Sequence, residues 1–238
     1  MYHLVKNGWE RSSNDFSGSD RFWQRSALGY SLLRDLRRKA IKKEFIKGRL
    51  LDAGAGKLSY RHVVSPLATK YESLDFKPTH PQLDYVGDIQ HMPLPDQSFD
   101  TVFSAEVLEH VPDPDQALRE IYRVLKPGGH FVMSIPHLMY LHNEPYDFFR
   151  YTKYGLRVLL DRAGFEIVLI EPSGGFFSFM QGLIATTLVG TLYGIPLLWP
   201  LCFQLNRLTG LLTMWLDDHT DHKKIFALHF IAVAKRPN

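Results

Sequence analysis

From Arg49 onward, short apolar runs alternate with segments of helical periodicity. That alternation is the signature of a mostly parallel sheet with helices on both faces. The apolar runs predict strands over 49–53, 70–75, 83–87, 100–105, 130–135, 165–170 and 225–234. Helices are expected between them. One covers 58–69 and is shortened or bent at Pro66; one covers 114–126, with Ala117, Ile121 and Leu125 on one face; one covers 153–163 and is closed by Gly164. Pro127-Gly128-Gly129 reads as the turn into the fifth strand.

The two ends of the chain follow other patterns. Residues 1–20 are polar, with Ser12, Ser13, Ser17 and Ser19 among acidic residues and glycines, and predict a loose arm. Leu33, Leu36, Ala40 and Ile41 then recur at helical spacing, while basic residues between Arg34 and Lys47 fill the other face as far as Gly48. Residues 1–48 are therefore taken as an arm and a basic helix, and 49–238 as one domain with an apolar helical insertion at about 173–222. No charged residue occurs between Glu171 and Arg207, and LIATTLVGTLYGIPLLWPLCF is long enough to raise the question of a membrane span.

Composition narrows the classes. At 45% hydrophobic and 22% charged residues, usage is that of an ordinary globular chain. A net charge of +3 is too small to imply a nucleic-acid partner, and none is expected. The single cysteine, Cys202, rules out an intramolecular disulfide, and no signal-peptide pattern opens the sequence, so a cytoplasmic location is expected.

Candidate chemistry lies just after the strands, because ligands of open α/β sheets bind beyond the strands' carboxyl ends. LLDAGAGKLSY runs from a buried strand into Asp52, Gly54 and Gly56, a turn where bare backbone approaches a ligand. A phosphate-cradling loop would need Ser or Thr directly after Lys57, where Leu58 stands, and the dinucleotide fingerprint would want a small third residue where Ser59 stands. Asp75 ends the second strand 23 residues after Asp52, the interval for a carboxylate that accepts hydrogen bonds from ribose hydroxyls. Asp88 ends the third, where it can accept from an adenine amino group while Ile89 packs on the ring.

LLDAGAG, SLDF and GDIQHMPLPDQSFDTVFSAEVLEHVPDPDQALREIYRVLKPGGHFVMSIP together resemble the ordered motifs of class I S-adenosylmethionine-dependent methyltransferases of the type 11 kind. The resemblance covers about residues 48–172 and the last strand. It implies a Rossmann-like, seven-stranded, mostly parallel α/β sheet and S-adenosyl-L-methionine as cofactor. It also implies that Asp52, Ala53, Gly54 and Gly56 face the methionyl part, Asp75 with Phe76 the ribose, and Asp88 with Ile89 the adenine, with Ala105 and Glu106 bordering the pocket. A third family glycine would fall at Leu58, where this sequence departs. In the family the last strand inserts beside strand six, so both ends of the uncharged stretch return to one side of any bilayer. Residues 176–214 are then expected to form a helical hairpin hinged near Gly190, Gly194, Pro196 and Pro200 that dips into one leaflet or packs as a lid, leaves the cofactor-side edge of the sheet and shapes the acceptor site.

Beyond strand five, HLMYLHNEPYDFFRYT is dense in titratable groups. His142 and His137 are the candidate general bases, and Tyr146, Asp147 and Arg150 the candidate acceptor contacts. The stretch resembles one found in methyltransferases of glycan and lipid-linked sugar pathways. Glu106, Glu109 and His110 resemble the divalent-ion ligands of quinone-precursor O-methyltransferases, and Asp217 to His222 is a second cluster of ligand types; no metal is expected at either. The expected function is methyl transfer to a small-molecule, glycan or lipid-linked acceptor, on oxygen, with peripheral contact to the inner membrane face. The alternatives are a nicotinamide-dependent oxidoreductase and a non-catalytic, membrane-associated cofactor-binding scaffold.

Overall fold

A computed structural model describes residues 27–192 and 195–238; the arm expected at 1–20 lies outside them. The chain divides into two compact units. One comprises Asp35–Pro172 and His229–Asn238; the other extends to Arg34 and takes in Ser173–Leu228.

The described residues of the first unit build the sheet: β1 (Arg49–Ala53), β2 (Lys70–Asp75), β3 (Tyr85–Val86), β4 (Phe99–Ala105), β5 (Leu125–Pro136), β6 (Glu166–Ser173) and β7 (His229–Lys235). Their order is β3-β2-β1-β4-β5-β7-β6. β1, β2, β3, β4 and β5 pair in parallel, and β7 runs antiparallel to β5. The central strands are buried along nearly their whole length, which is why they read as continuous apolar runs. Strand order reverses direction between β1 and β4, a topological switch point that opens a crevice at their carboxyl ends.

Local signals account for the helices. In α3 (Pro114–Val124) the Asp113 carboxylate accepts the Gln116 N–H at 2.9 Å, Pro114 opens the first turn, and Ala117, Leu118, Ile121 and Val124 are buried together. In α4 (Lys153–Arg162) the Thr152 hydroxyl accepts the Gly155 N–H at 3.1 Å, and Gly164 ends the helix at φ +86°. Arg236, just past β7, donates to the carbonyls of Tyr122 and Leu125 at 2.7 Å each and so satisfies the open end of α3.

Several boundaries differ from those expected. The helix expected over 58–69 shrinks to α2 (Arg61–Val64) and a short 3₁₀ turn, Ser65–Leu67, because Leu58 adopts φ +60° and blocks an earlier start. β3 keeps only two residues: the Asp84 carboxylate takes the Ser73 N–H and hydroxyl at 2.9 and 2.7 Å, where a longer strand would have paired. Pro127-Gly128-Gly129 lies inside β5, where Gly128 at φ +75° donates its N–H to Arg236 O at 2.8 Å. The last strand begins at His229, since residues 224–227 close a turn. The basic helix, α1 (Ala27–Lys39), stops eight residues short of the expected Lys47. There Thr101 on β4 binds the chain instead, accepting the Lys47 N–H at 3.1 Å and donating to the Lys47 carbonyl at 3.0 Å.

The second unit holds two packed helices, α5 (Phe176–Leu192) and α6 (Leu198–Thr220). The hairpin expected over 176–214 therefore extends to Thr220. Its ends meet: Leu228 N–H donates to Ser173 O at 2.9 Å. Asp217 accepts the N–H groups of Phe177 and Ser178 at 2.9 and 3.0 Å, and Asp221 accepts that of Phe176 at 2.9 Å. The acidic run weighed as metal ligands thus caps the first turn of α5. Among the described residues, no helix is long and apolar enough to cross a membrane.

Candidate active site

The turn after β1 sits at the switch point. Gly54 and Ala55 donate their N–H groups to Leu74 O at 2.8 and 3.0 Å, stitching the turn to β2. Gly54 has φ +81°, and a Cβ there would lie 2.4 Å from Val107 Cγ2, so only glycine fits. Gly56 has φ +55°, yet its missing Cβ points into open space. Leu58, where a third glycine was expected from the resemblance, is buried and keeps the left-handed backbone of a glycine.

Three carboxylates lie at or just beyond the carboxyl ends of the first three strands. Asp52 is buried and accepts the Tyr71 hydroxyl at 2.7 Å; burial pushes its carboxyl up to about 7 despite that bond. Asp75 accepts the Gly56 N–H at 2.7 Å and the Lys77 N–H at 3.2 Å, binding the glycine turn to the end of β2. Phe76 beside it is 66% exposed, a bare aromatic face next to an acid. Asp88 accepts the Gln90 backbone N–H at 2.8 Å and the Gln90 amide at 3.0 and 3.1 Å, while Ile89 is buried.

Ala105 ends β4, and Glu106 follows at φ +57°. Its carboxylate accepts the Ser134 hydroxyl at 2.8 Å and lies 3.2 Å from His229 Nε2. Burial opposes ionisation, but His229 and Ser134 hold Glu106 below the ordinary carboxylate range. Glu106 thereby commits its carboxylate to Ser134 and His229.

The loop after β5 is held by Arg150. Its guanidinium donates to both Asp147 oxygens at 2.6 and 2.7 Å and to the carbonyls of Tyr140 and Phe149 at 2.9 and 2.8 Å. Asp147 and Arg150 therefore spend their strongest bonds on the loop itself. Tyr146 is exposed, with the Lys77 ammonium 5.8 Å from its ring centre, so the loop reaches the end of β2. His137 packs its ring 5.1 Å from that of Phe230, and burial pulls its pKa down.

His142 meets partners that local sequence did not reveal. Glu109, in the 3₁₀ turn Leu108–His110, is fully buried, and neither carboxylate oxygen has a hydrogen-bond partner. Its Oε1 lies 3.6 Å from His110 Nε2 and 3.8 Å from His142 Nε2, too far for hydrogen bonds. The two rings stand edge to face at 4.8 Å. Phe148 and Phe149 donate their N–H groups to Glu109 O at 2.9 and 3.3 Å, which draws the loop over this turn. His229 and Tyr60 were also missed: Tyr60 is half-buried, burial and the charges of Glu106, Asp52 and Glu109 raise its hydroxyl pKa, and no spacing rule connects those positions.

Residues 51–133 match the family described as "Methyltransferase domain". Over 133 residues, half of this chain, the sequence is 31% identical to a Mycolicibacterium smegmatis protein described as a probable S-adenosylmethionine-dependent methyltransferase, covering 52% of that protein. Over 94 residues it is 35% identical to the demethylmenaquinone methyltransferase of Chlamydia trachomatis, covering 34% of this chain and 41% of that one. The chain thus spans about half, or less, of the curated relatives it matches. Among solved structures, an S-adenosylmethionine-dependent methyltransferase from Mesorhizobium loti superposes with a TM-score of 0.55 over 88% of this chain and all of its own, at 19% identity, which is a likeness of fold.

Proposed function

We propose that the chain is a class I S-adenosylmethionine-dependent methyltransferase and that it moves a methyl group from this cofactor to an oxygen of a small, apolar or lipid-linked acceptor. The crevice fits the cofactor. Gly56 leaves open space where a side chain would stand, Asp75 lies at its N–H, and Phe76 offers an uncovered ring. In this reading Asp52, Ala53, Gly54 and Gly56 line the methionyl end and Asp75 with Phe76 holds the ribose. Asp88 and Ile89 face the adenine, and Ala105 and Glu106 form the floor. Bound there, the cofactor supplies a methyl carbon on a sulfonium leaving group.

The chain's own contribution is placement. Displacement at a methyl carbon is in line, so rate follows from holding the acceptor atom behind it. The loop over 137–152, strapped by Arg150 and Asp147, borders that position, with Tyr146 exposed to the acceptor. The observation that favours oxygen is the arrangement of imidazoles: His142 Nδ1 faces Tyr140 O at 3.2 Å, which leaves Nε2 as a lone pair on the inner side. Such a group serves an acceptor that must lose a proton, with His137 the second imidazole of the loop. Calorimetry with S-adenosylhomocysteine and NAD, followed by turnover on a panel of hydroxylated quinone, polyprenol and glycan acceptors, tests the proposal. Binding of the first ligand alone, and loss of turnover in His142→Ala at unchanged S-adenosylhomocysteine affinity, is expected. NAD binding, or undiminished turnover by the variant, overturns it.

Peripheral attachment to a lipid surface belongs to the same proposal. Leu198, Leu201, Leu205, Leu208, Leu212 and Trp215 recur at steps of three and four along α6 and are all exposed, as are Phe176, Met180, Leu183, Ile184 and Leu188 on α5. A hairpin with two uncovered apolar stripes suits one-sided insertion into a leaflet, where an apolar acceptor resides.

A further inference from the structure

The geometry points to a divalent transition-metal site formed by Glu109, His110 and His142, of the two-imidazole, one-carboxylate kind that takes zinc. Nothing in the sequence motif joins these three: the grouping weighed there was Glu106 with Glu109 and His110, whereas the structure commits Glu106 to Ser134 and His229 and brings in His142 from the loop after β5. One ligand atom from each of the three lies within 4.8 Å of the others.

Three features make the trio more than a cluster of polar groups. Glu109 is fully buried with both oxygens unpartnered, a costly state for a carboxylate unless something positive meets it. Each imidazole also has its other nitrogen at a backbone carbonyl: His110 Nδ1 lies 2.5 Å from Tyr146 O and His142 Nδ1 lies 3.2 Å from Tyr140 O. A proton on each Nδ1 fixes the tautomer and leaves both Nε2 lone pairs directed inward, which is the outer-shell arrangement of metal-bound histidine. Finally, the carboxylate stands near the spacing of a shared ion from each imidazole, and the two rings, within 4.8 Å of each other, close by a short movement of the loop to complete the set. Bonds of about 2.0–2.2 Å in a tetrahedral set place neighbouring ligand atoms roughly 3.4 Å apart, against 3.6 and 3.8 Å from Glu109 Oε1 to the two nitrogens.

The cation beside the trio is already paired. Arg150, whose Nη2 lies 3.3 Å from His142 Nδ1, is neutralised by its paired bonds to Asp147. Asn143 Nδ2 lies 3.3 Å from His110 Nε2 and must swing off that lone pair to admit the ion. Two nitrogens and a carboxylate favour zinc, cobalt or nickel over magnesium or calcium, and a fourth position is left for water or the acceptor oxygen. This inference rests on the acceptor lying over the same loop. It changes the part played by His142: in the loaded protein its Nε2 is a ligand, and the acceptor oxygen is activated by the ion's charge.

The test uses the full chain, stripped of metal by chelator and dialysed. Zinc binding by competition with a chromogenic chelator, and the visible spectrum after addition of cobalt(II), are measured alongside S-adenosylhomocysteine calorimetry on the same samples. One zinc per chain, tetrahedral cobalt bands, and affinity at least about 100-fold weaker in both Glu109→Gln and His142→Ala are expected. His142 is on a partly exposed loop, so its variant reports binding even where the buried Glu109→Gln fails to fold. Zinc uptake that survives unchanged in His142→Ala, or no uptake by the unaltered chain, overturns the site. Because the cofactor groups lie outside the trio, normal S-adenosylhomocysteine binding in those samples leaves the methyltransferase reading standing, and its absence tells against that reading alone.

Discussion

Gly54 and Gly56 share a left-handed backbone, but their surroundings differ, and this separates a folding role from a binding role. An alanine Cβ at 54 would meet Val107 at 2.4 Å, whereas at 56 it would meet nothing within 4 Å. Gly54→Ala should therefore lose several kcal/mol and the turn with it, while Gly56→Ala should lose only the backbone strain of about 1–2 kcal/mol. The second variant should nonetheless bind S-adenosylhomocysteine at least tenfold more weakly, because its methyl group enters the space assigned to the cofactor. Denaturant melts paired with calorimetry check this, and a Gly56→Ala protein with unchanged affinity would move the cofactor away from the turn. Asp52 gives a pH signature. Its carboxyl is raised to about 7, so the folded chain holds a proton that the unfolded chain has lost above about pH 4. Stability from this group is complete below that pH and falls as pH rises towards 7, by roughly 2–4 kcal/mol. A cofactor bearing an ammonium and a sulfonium beside Asp52 favours the ionised form. The rise in melting temperature on adding cofactor should then grow between pH 5.5 and 7.5, and Asp52→Asn should flatten that growth; parallel curves for the two proteins would exclude the coupling.

Elements were legible in the sequence where a single periodicity governed them. β1 and β4 are central, buried strands, so apolar runs marked them to within a residue; α3 carried its cap, its opening proline and its apolar face in one segment. Boundaries set by remote side chains could not be read. Asp84 shortened β3 by binding Ser73, Thr101 holds the chain at Lys47 where helix was expected, and Arg236 drew Gly128 into a strand. The candidate site divides the same way: the carboxylates after β1, β2 and β3 follow from register, while Glu109 beside His142 depends on how a long loop folds back. The DDHTDH run is the clearest case, since its composition suggested ligands and its place in the hairpin makes it a cap. Asp217→Ala should strand the N–H groups of Phe177 and Ser178 and destabilise the hairpin by about 1–2 kcal/mol. Faster hydrogen exchange confined to the first turn of α5 is the expected reading; uniform exchange across the helix would show that the cap is dispensable.

At the scale of the whole molecule the unexplained quantity is apolar surface. Two helices each expose a stripe of Leu, Met and aromatic side chains, more than an isolated chain leaves in water without cause. On the reading proposed above a leaflet covers such a surface by hydrophobic burial, and each Lys or Arg brought near anionic headgroups adds roughly 1 kcal/mol until salt screens it. The steps of three and four along α6 also fit a second copy, packed seam to seam, so the experiment must separate the two. Full-length protein, and protein in which residues 175–222 are replaced by a short Gly-Ser linker, are spun with anionic and neutral liposomes at low and high salt and sized by light scattering without lipid. The linker variant is feasible because Ser173 and Leu228 already meet. Full-length protein should sediment with anionic vesicles and keep part of that binding at high salt, where only the apolar contribution survives. The shortened protein should stay in the supernatant and bind S-adenosylhomocysteine as before, since the residues assigned to the cofactor lie in the other unit. A concentration-dependent dimer that ignores vesicles would give the stripes to a second copy and leave the acceptor without a membrane to be drawn from.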